Sequence, residues 1–566
     1  MRIRWAAIWA TLGLVAGCFP VGTAQDAPGA AADSVDATSP PPPFRIQGAD
    51  WYRDAVFYHL WVRSFRDSDG DGIGDLPGVI EKLDHLASLG VDALWLSPFY
   101  PTPYFDSGYD VADSTGVAPE YGTLEDWDLL LEEAHARGIR VFNDLVLNHT
   151  SVEHPWFQAS RSSSHDPKRD WYVWADAPAF DCPPIDAAVF GEDPWTLDPT
   201  TGAYYFHRFL PQQPDLNYRN PEVAEIMREV ARFWLDRGAD GFRVDAITTL
   251  YEDLPGTPRD EFRCDDHPQT HAFLKTLRGV LDEYEGRAML AEAWAGPGAT
   301  AKYFGDGADE FHMSFSQNLA FALQATFLFD NPAALAEAYE EAEAPVPDGA
   351  HWGLFLSNHD QPRIMASAGN SADRAAMAAV LLLTLPGTPF IYYGDEVGMT
   401  NGTDVVVDAR DRSRTPMPWS DGPGLGFTDG TPWLAPAPGW ETANVFVQEG
   451  DPASLLSLYR GLTALRREVG VFGTEDFAPL DTPELEGRLL AFRRGSTKKG
   501  ALVLVHFGDA DLTDALDLSP LLAGTPATAT LASFPAPDLT EDGLLPAPVP
   551  AFAFAIWTWG SPPPAS

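Results

Sequence analysis

Eight short apolar runs of strand type recur along this chain, with longer amphipathic segments between them. They cover residues 55–60, 91–98, 140–147, 241–247, 287–294, 310–315, 352–357 and 389–393. A run that is apolar at successive positions suits a strand buried on both faces, as in a parallel sheet covered by helices. Helical patterns lie between them, among them 124–137, 221–237 and 271–284, and the first two are closed by Gly138 and Gly238. Eight strand–helix units predict an α/β fold, a closed (β/α)8 barrel of the TIM type over residues 51–466, with its chemistry at the C-terminal strand ends. The stretch 149–220 after the third strand is too long for an ordinary loop and predicts an inserted lobe over the barrel mouth. Beyond a helical segment near 454–467, short apolar runs such as 489–494 and 501–507 alternate with turns, so residues 467–566 read as a small antiparallel β-sandwich.

The N-terminal residues do not belong to that body. Arg2 and Arg4, an apolar run from Trp5 to Val15, and small Ala16 and Gly17 form a signal-peptide pattern too short to span a membrane. Val15-Ala16-Gly17-Cys18 resembles the bacterial lipobox, which implies residues 1–18 as a lipoprotein signal, acylation at Cys18 and membrane attachment through the lipid. Phe19 after the cysteine, by the same resemblance, implies export to the outer membrane. Residues 19–50 are rich in Ala, Pro, Ser and Asp and read as a disordered tether. Cys182 and Cys264 then remain, to pair in an oxidising compartment or to stay free; neither has the spacing of a zinc site. The 82 acidic against 37 basic residues, a formal charge of −45, repel phosphate backbones and exclude nucleic acid as a partner.

Three acidic residues end three of the strand candidates: Asp245 in Gly-Phe-Arg-Val-Asp, Glu292 in Met-Leu-Ala-Glu, and Asp360 in Ser-Asn-His-Asp. A parallel barrel points all three into one mouth. Glycoside hydrolysis with retention needs a nucleophilic carboxylate and a carboxylic acid about 5 to 5.5 Å apart, and this set supplies both types. Asp144-Leu-Val-Leu-Asn148-His149, Gly241-Phe-Arg243-Val-Asp245, Ala291-Glu292-Ala and Ser357-Asn358-His359-Asp360 resemble, in order, the four signature blocks of the alpha-amylase family. The resemblance implies Asp245 as nucleophile, Glu292 as general acid and base, and Asp360 as the carboxylate that binds sugar hydroxyls. Arg243 lies two residues before Asp245 on the same strand face, placed to hold the nucleophile ionised. Glu292 needs a raised pKa to keep its proton.

The resemblance also implies sugar contacts from His149 and His359, a carboxylate at Asp110 that grips the terminal glucose, and stacking by Tyr109. Arg410-Asp-Arg-Ser-Arg414 is similar to an Arg-rich block of oligosaccharide glucosidases and trehalose synthases, with Arg410 or Arg414 reaching the substrate. Asp67, Asp69, Asp71, the Ile73 carbonyl and Asp75 have the alternating oxygen pattern of a structural calcium loop, and no organic cofactor is expected. Gln213-Pro-Asp-Leu-Asn217 resembles the oligo-1,6-glucosidase branch. The leading expectation is retaining hydrolysis of α-glucosidic bonds, α-1,4 in kind, in malto-oligosaccharides or other small glucans. The alternatives are a trehalose synthase-like isomerisation of maltose, supported by the stretches 266–275 and 303–306, and an endo-acting amylase. The signal peptide and Trp294, where trehalose synthases usually carry Asn, favour hydrolysis.

Overall fold

All eight runs form parallel strands that close on themselves: β1 (Phe57–Leu60), β2 (Ala93–Leu96), β3 (Arg140–Val146), β4 (Gly241–Asp245), β5 (Ala288–Ala291), β6 (Met313–Phe315), β7 (His351–Phe355) and β8 (Thr388–Tyr392), which pairs back to β1. The computed structural model describes residues 44–560 apart from 179–181, 183–189, 192, 254–263, 331, 334, 336, 340–345 and 481–487. The signal segment, Cys18 and the tether as far as residue 43 therefore lie outside the described residues.

Alternation along the strands divides the core in two. Phe57, Trp95, Phe142, Leu290, Phe315 and Phe390 point inward and fill the barrel, with Phe57 stacked on Phe390 at 4.5 Å between centroids. Tyr58, Leu94, Val141, Val244, Met289 and Ile391 point outward into the larger core beneath the helices. The helices start where the local chemistry satisfies their first N–H groups. Thr123 and Asp126 form a reciprocal capping box for Leu124–Ala136, and Asn220 caps Pro221–Asp236 with Pro221 in the first turn. The helix expected over 271–284 instead spans Pro268–Leu281, because His267 accepts from the Gln269 N–H and Pro268 is suited to the first turn. The strand expected from Glu310 begins only at Met313, and Glu310 turns its carboxylate to His271 Nδ1 at 2.9 Å.

The insertion between β3 and β4 carries the helix Pro155–Ser162 and an antiparallel sheet of Trp174–Ala175, Tyr204–Phe206 and Trp195–Leu197. Val173, Cys182, Trp195 and Phe206 form its own apolar cluster, with Cys264 packed against it. Cys182 and Cys264 are joined in a disulfide, their Cα atoms 5.7 Å apart, which resolves the pairing left open by the sequence.

A five-stranded antiparallel sheet follows the barrel, in the order Phe477–Pro479, Leu489–Gly495, Gly500–His506, Ala553–Trp559 and Thr528–Ala532. Leu502 and Leu504 pack with Leu516 and Leu545 of a two-stranded sheet, while Val503 and Val505 on the other face join the main core. The junction expected at 466/467 falls inside the helix Leu455–Val469, which runs on until Gly470 adopts a left-handed φ of 57°. Buried Arg466 and Arg494 fasten this junction. Arg466 donates to the carbonyls of Leu383 (3.3 Å) and Gly387 (3.1 Å), and Arg494 donates to those of Phe472 (2.9 Å) and Thr384. The tether expected up to residue 50 is docked from Phe44 onward, because the guanidinium of Arg140, at the first position of β3, lies 3.9 Å from the Phe44 ring and 4.0 Å from Trp51.

Candidate active site

The strand ends of β3, β4 and β5 converge on one buried cation. Arg243 Nη1 lies 2.7 Å from Asp144 Oδ1 and 2.7 Å from Asp245 Oδ1, and its Nη2 lies 2.6 Å from Glu292 Oε2. Arg243 and Asp245 share a strand face at i and i+2, and pairing of Asp144 with Arg243 across β3 and β4 supplies the third group. Glu292 follows β5 directly, and its carboxylate also accepts from the Ala246 N–H at 3.2 Å. Ala246 sits at φ 45°, ψ 44°, a left-handed conformation costing a non-glycine residue about 1–2 kcal/mol, at the turn that ends the Asp245 strand.

Burial is the main influence on Asp245 and raises its pKa; Arg243 opposes that rise and Asp144 reinforces it. Glu292 is pushed up to about 7, chiefly by burial, with Arg243 opposing and Asp245 and Asp360 reinforcing. The expectation that Arg243 serves Asp245 is therefore modified: the pairing is present, but the same guanidinium is shared with Glu292 and Asp144, and burial outweighs it. Asp360 behaves oppositely. Burial works against its charge, yet contacts with His359, Arg410 and Arg414 hold its carboxyl well below the ordinary value.

Asp360 Oδ1 is 3.2 Å from Arg410 Nη1 and 3.2 Å from Arg414 Nη2, so both candidate arginines reach it. Arg414 is fully buried, donating from Nε to the His359 carbonyl at 2.8 Å and from Nη1 to Ser107 Oγ at 2.7 Å. Arg410 keeps some exposure and pairs with Asp106 and Asp408. His359 Nε2 is 3.2 Å from Asp360 Oδ2, and burial lowers its pKa to about 4, so it is neutral at physiological pH. Tyr109 stacks on His359 and places its hydroxyl 2.9 Å from Asp144 Oδ2 and 2.8 Å from His359 Nε2. His149, also held neutral by burial with a pKa near 4, has Nε2 3.0 Å from Gln213 Nε2. Gln213 in turn donates to Asp106 Oδ2 at 2.9 Å.

Asp110 is a correction. Its carboxylate accepts from the backbone N–H groups of Phe105 (3.0 Å) and Asp106 (2.8 Å) and is buried beneath the loop it shapes. Asp106, four residues earlier, meets Arg410 instead. Three polar groups of the site, Asp106, Asp144 and Gln213, were not singled out from the sequence as site residues. Asp144 and Gln213 stood inside quoted motifs, and Asp106 lies four residues before Asp110.

The acidic loop divides in the same way. Asp67, Asp69 and Asp71 bring one carboxylate oxygen each within 4.8 Å of one another, a hard-oxygen set suited to a divalent cation. Asp75, expected among the ligands, instead caps the helix Leu76–Glu81 through Gly78 N at 2.6 Å and takes the Ser68 N–H at 2.9 Å. Ile73 follows Asp71, whose Oδ1 accepts the Ile73 N–H at 2.7 Å.

Removing a buried acceptor of two backbone donors costs about 1–3 kcal/mol. Asp110→Asn is accordingly expected to lower the melting temperature measured by calorimetry, because an amide nitrogen would face one of the two N–H groups.

Comparison with known proteins agrees with this geometry. The alpha-amylase catalytic-domain model matches residues 59–473. The chain is 41% identical over 476 residues to the trehalose synthase/amylase of Mycolicibacterium smegmatis, covering 76% of this chain and 78% of that one. It is 37% identical over 496 residues to the oligo-1,6-glucosidase of Parageobacillus thermoglucosidasius, covering 76% and 87%. The crystal structure of the trehalulose synthase of Pseudomonas mesoacidophila superposes with a TM-score of 0.80 at 30% identity, over 90% of this chain and 100% of that one. With its barrel, its converging carboxylates and these relatives, the chain belongs to the alpha-amylase family.

Proposed function

We propose that this enzyme transfers α-glucosyl units of short α-glucosides by double displacement, and that its main reaction is isomerisation of maltose to trehalose rather than net hydrolysis. The observation that carries the transfer chemistry is the Arg243 cluster, where two carboxyl groups from adjacent strands, Asp245 and Glu292, share one buried cation. Two lines of support favour isomerisation of a short substrate. Asp106, Arg410 and Asp360 close one side of the site with charged groups suited to the hydroxyls of a terminal sugar. The 41% identity to a trehalose synthase/amylase weighs toward isomerisation over the hydrolysis that the signal peptide and Trp294 first favoured. Hydrolysis stays as the second reading, supported by the oligo-1,6-glucosidase relative.

In the first step Asp245 attacks the anomeric carbon while Glu292 gives its proton to the leaving oxygen. In the second, Glu292 takes a proton from the incoming hydroxyl and the bond to Asp245 breaks. Asp360, kept ionised by Arg410 and Arg414, holds sugar hydroxyls, and neutral His149 and His359 donate or accept hydrogen bonds without adding charge. Because Glu292 must start protonated and its pKa lies near 7, turnover should fall as pH rises through about 7 and above. Maltose incubated across this range, with trehalose and glucose separated by chromatography, checks both statements. Trehalose as the main product with a declining alkaline limb is expected; glucose alone would make the enzyme a hydrolase.

We further propose that calcium binds Asp67, Asp69 and Asp71 as a structural ion, with the Ile73 carbonyl as a further ligand. A cation held only by the folded state adds about 2.7 kcal/mol at a concentration one hundred times its dissociation constant. Chelation should lower the melting temperature and calcium should restore it; an unchanged curve after verified metal removal would leave the loop an ordinary turn. For the N-terminus we propose the lipoprotein reading, in which Cys18→Ser moves the protein from the membrane fraction to the soluble one. A wild type already soluble would end that reading.

A further inference from the structure

Trp294 is the one exposed tryptophan among the described residues, with 45% of its surface open to solvent. An indole in that state forgoes the burial and the hydrogen bond that tryptophan usually finds. Among the described residues it stacks on no ring, its Nε1 donates to no acceptor, and it joins neither the barrel filling nor the core beneath the helices.

Its position follows from β5. Ala288 and Leu290 point into the barrel, whereas Met289, Ala291 and Ala293 belong to the outer core. The chain continues through 292–294 without a turn and first bends at Ala295. Glu292 and Trp294, at i and i+2, therefore share the face that looks into the mouth. Two residues of extended chain carry Trp294 about 7 Å further out than Glu292, a distance comparable with one pyranose ring. The backbone is pinned on both sides of the indole. Glu292 donates its N–H to the Val244 carbonyl at 3.0 Å and accepts the Ile247 N–H at 3.2 Å, and Thr300 Oγ1 donates to the Ala295 carbonyl at 3.0 Å.

Glu292 gives its proton to the leaving oxygen, which joins the transferred sugar to the departing one. The transferred sugar lies toward Asp106, Arg410 and Asp360, so the departing sugar takes the opposite, outward side of that oxygen. Trp294 extends the strand of the acid to that outward side. Among the described residues its ring makes no contact with Arg410 or Arg414, whose guanidiniums lie over Phe190 and Trp61.

We infer that Trp294 is the platform for the departing sugar: its indole face stacks on the C–H face of a cyclic leaving group and holds that group beside Glu292. This rests on the double-displacement reading above and holds whichever acceptor ends the cycle. A donor with a pyranose leaving group is then helped by Trp294, and a donor whose leaving group is a single atom is not. With maltose, the C1–O bond breaks, a C1–O bond to Asp245 forms, and the Glu292 proton goes to the oxygen of the departing glucose. With α-glucosyl fluoride, the C1–F bond breaks, fluoride leaves with the bonding pair, and the same bond to Asp245 forms. Both donors present one glucosyl group to Asp245, so the ratio of their kcat/KM values isolates the departing ring.

The test measures kcat/KM for both donors with the full chain, comparing wild type, Trp294→Ala and Trp294→Phe. The maltose-to-fluoride ratio should fall about tenfold in Trp294→Ala and stay within about threefold of wild type in Trp294→Phe, which keeps an aromatic face. The ratio cancels the folded fraction, so a loss of folded protein does not imitate this result. The alkaline limb of the maltose profile, set by Glu292, should keep its position in Trp294→Ala. An unchanged ratio in Trp294→Ala overturns the proposal, as does a ratio in Trp294→Phe as low as that of Trp294→Ala. A fallen ratio with a displaced limb also overturns it, because the residue then acts through the acid. In each of these cases the double-displacement reading stands. If the wild type consumes neither donor, that reading fails and takes the proposal with it.

Discussion

The buried guanidinium of Arg243 is the group around which this site is organised. A cation removed from water costs several kcal/mol unless its partners are close and well directed. Here the partners come from three neighbouring strand ends: Asp144 on β3, Asp245 on β4 and Glu292 just after β5. Their convergence depends on strand register, with Asp144 opposite Arg243 and Arg243 opposite Leu290. A slip of one residue would exchange the inner and outer faces, leaving the arginine among the helices and the apolar side chains in the mouth. The aromatic filling of the barrel and the electrostatics of its mouth therefore fix the same register from two ends.

Around that cation, local surroundings give carboxylates of one chemical type different proton affinities. Glu292 is raised to about 7, mostly by burial, whereas Asp360, whose side chain is more exposed, is lowered because His359 and two arginines bear on it. That divergence separates Asp360 from Glu292, whereas Asp245, which shares Arg243 with Glu292, is raised along with it. The neutral histidines fit this pattern, since protonated imidazoles would compete with the arginines for the same carboxylates.

The pocket is shaped by parts that the barrel itself does not supply. The lobe contributes Gln213 and Phe209, whose ring lies 5.2 Å from that of His149, and the disulfide and the Arg208–Asp265 pair fasten it to the segment after β4. At the far end of the chain, Arg466 and Arg494 satisfy carbonyls near the end of the helix Ala372–Thr384 and join the C-terminal sheet to the body. At the second junction buried arginines connect elements distant in sequence, where each broken bond would leave an unpaired group.

Much of this protein is written locally. The apolar runs specify buried strands, caps such as Thr123 and Asn220 start helices, and the motif blocks bring Asp245 and Glu292 to strand ends and Asp360 to the loop after β7. What sequence could not assign was which of several nearby acids faces the pocket. Asp106 and Asp110 differ by four residues in a loop where Ser107 and Gly108 adopt φ of 52° and 107°, and that reversal turns Asp110 onto backbone N–H groups while Asp106 meets Arg410. Asp75 was likewise drawn to a helix cap and away from the other loop acids. The pairing of Cys182 with Cys264, 82 residues apart, and the sharing of Arg243 among three carboxylates needed the folded chain. Residue type and spacing set what a side chain can do, but hydrogen-bond competition and burial, which exist only once distant segments meet, decide which partner it takes.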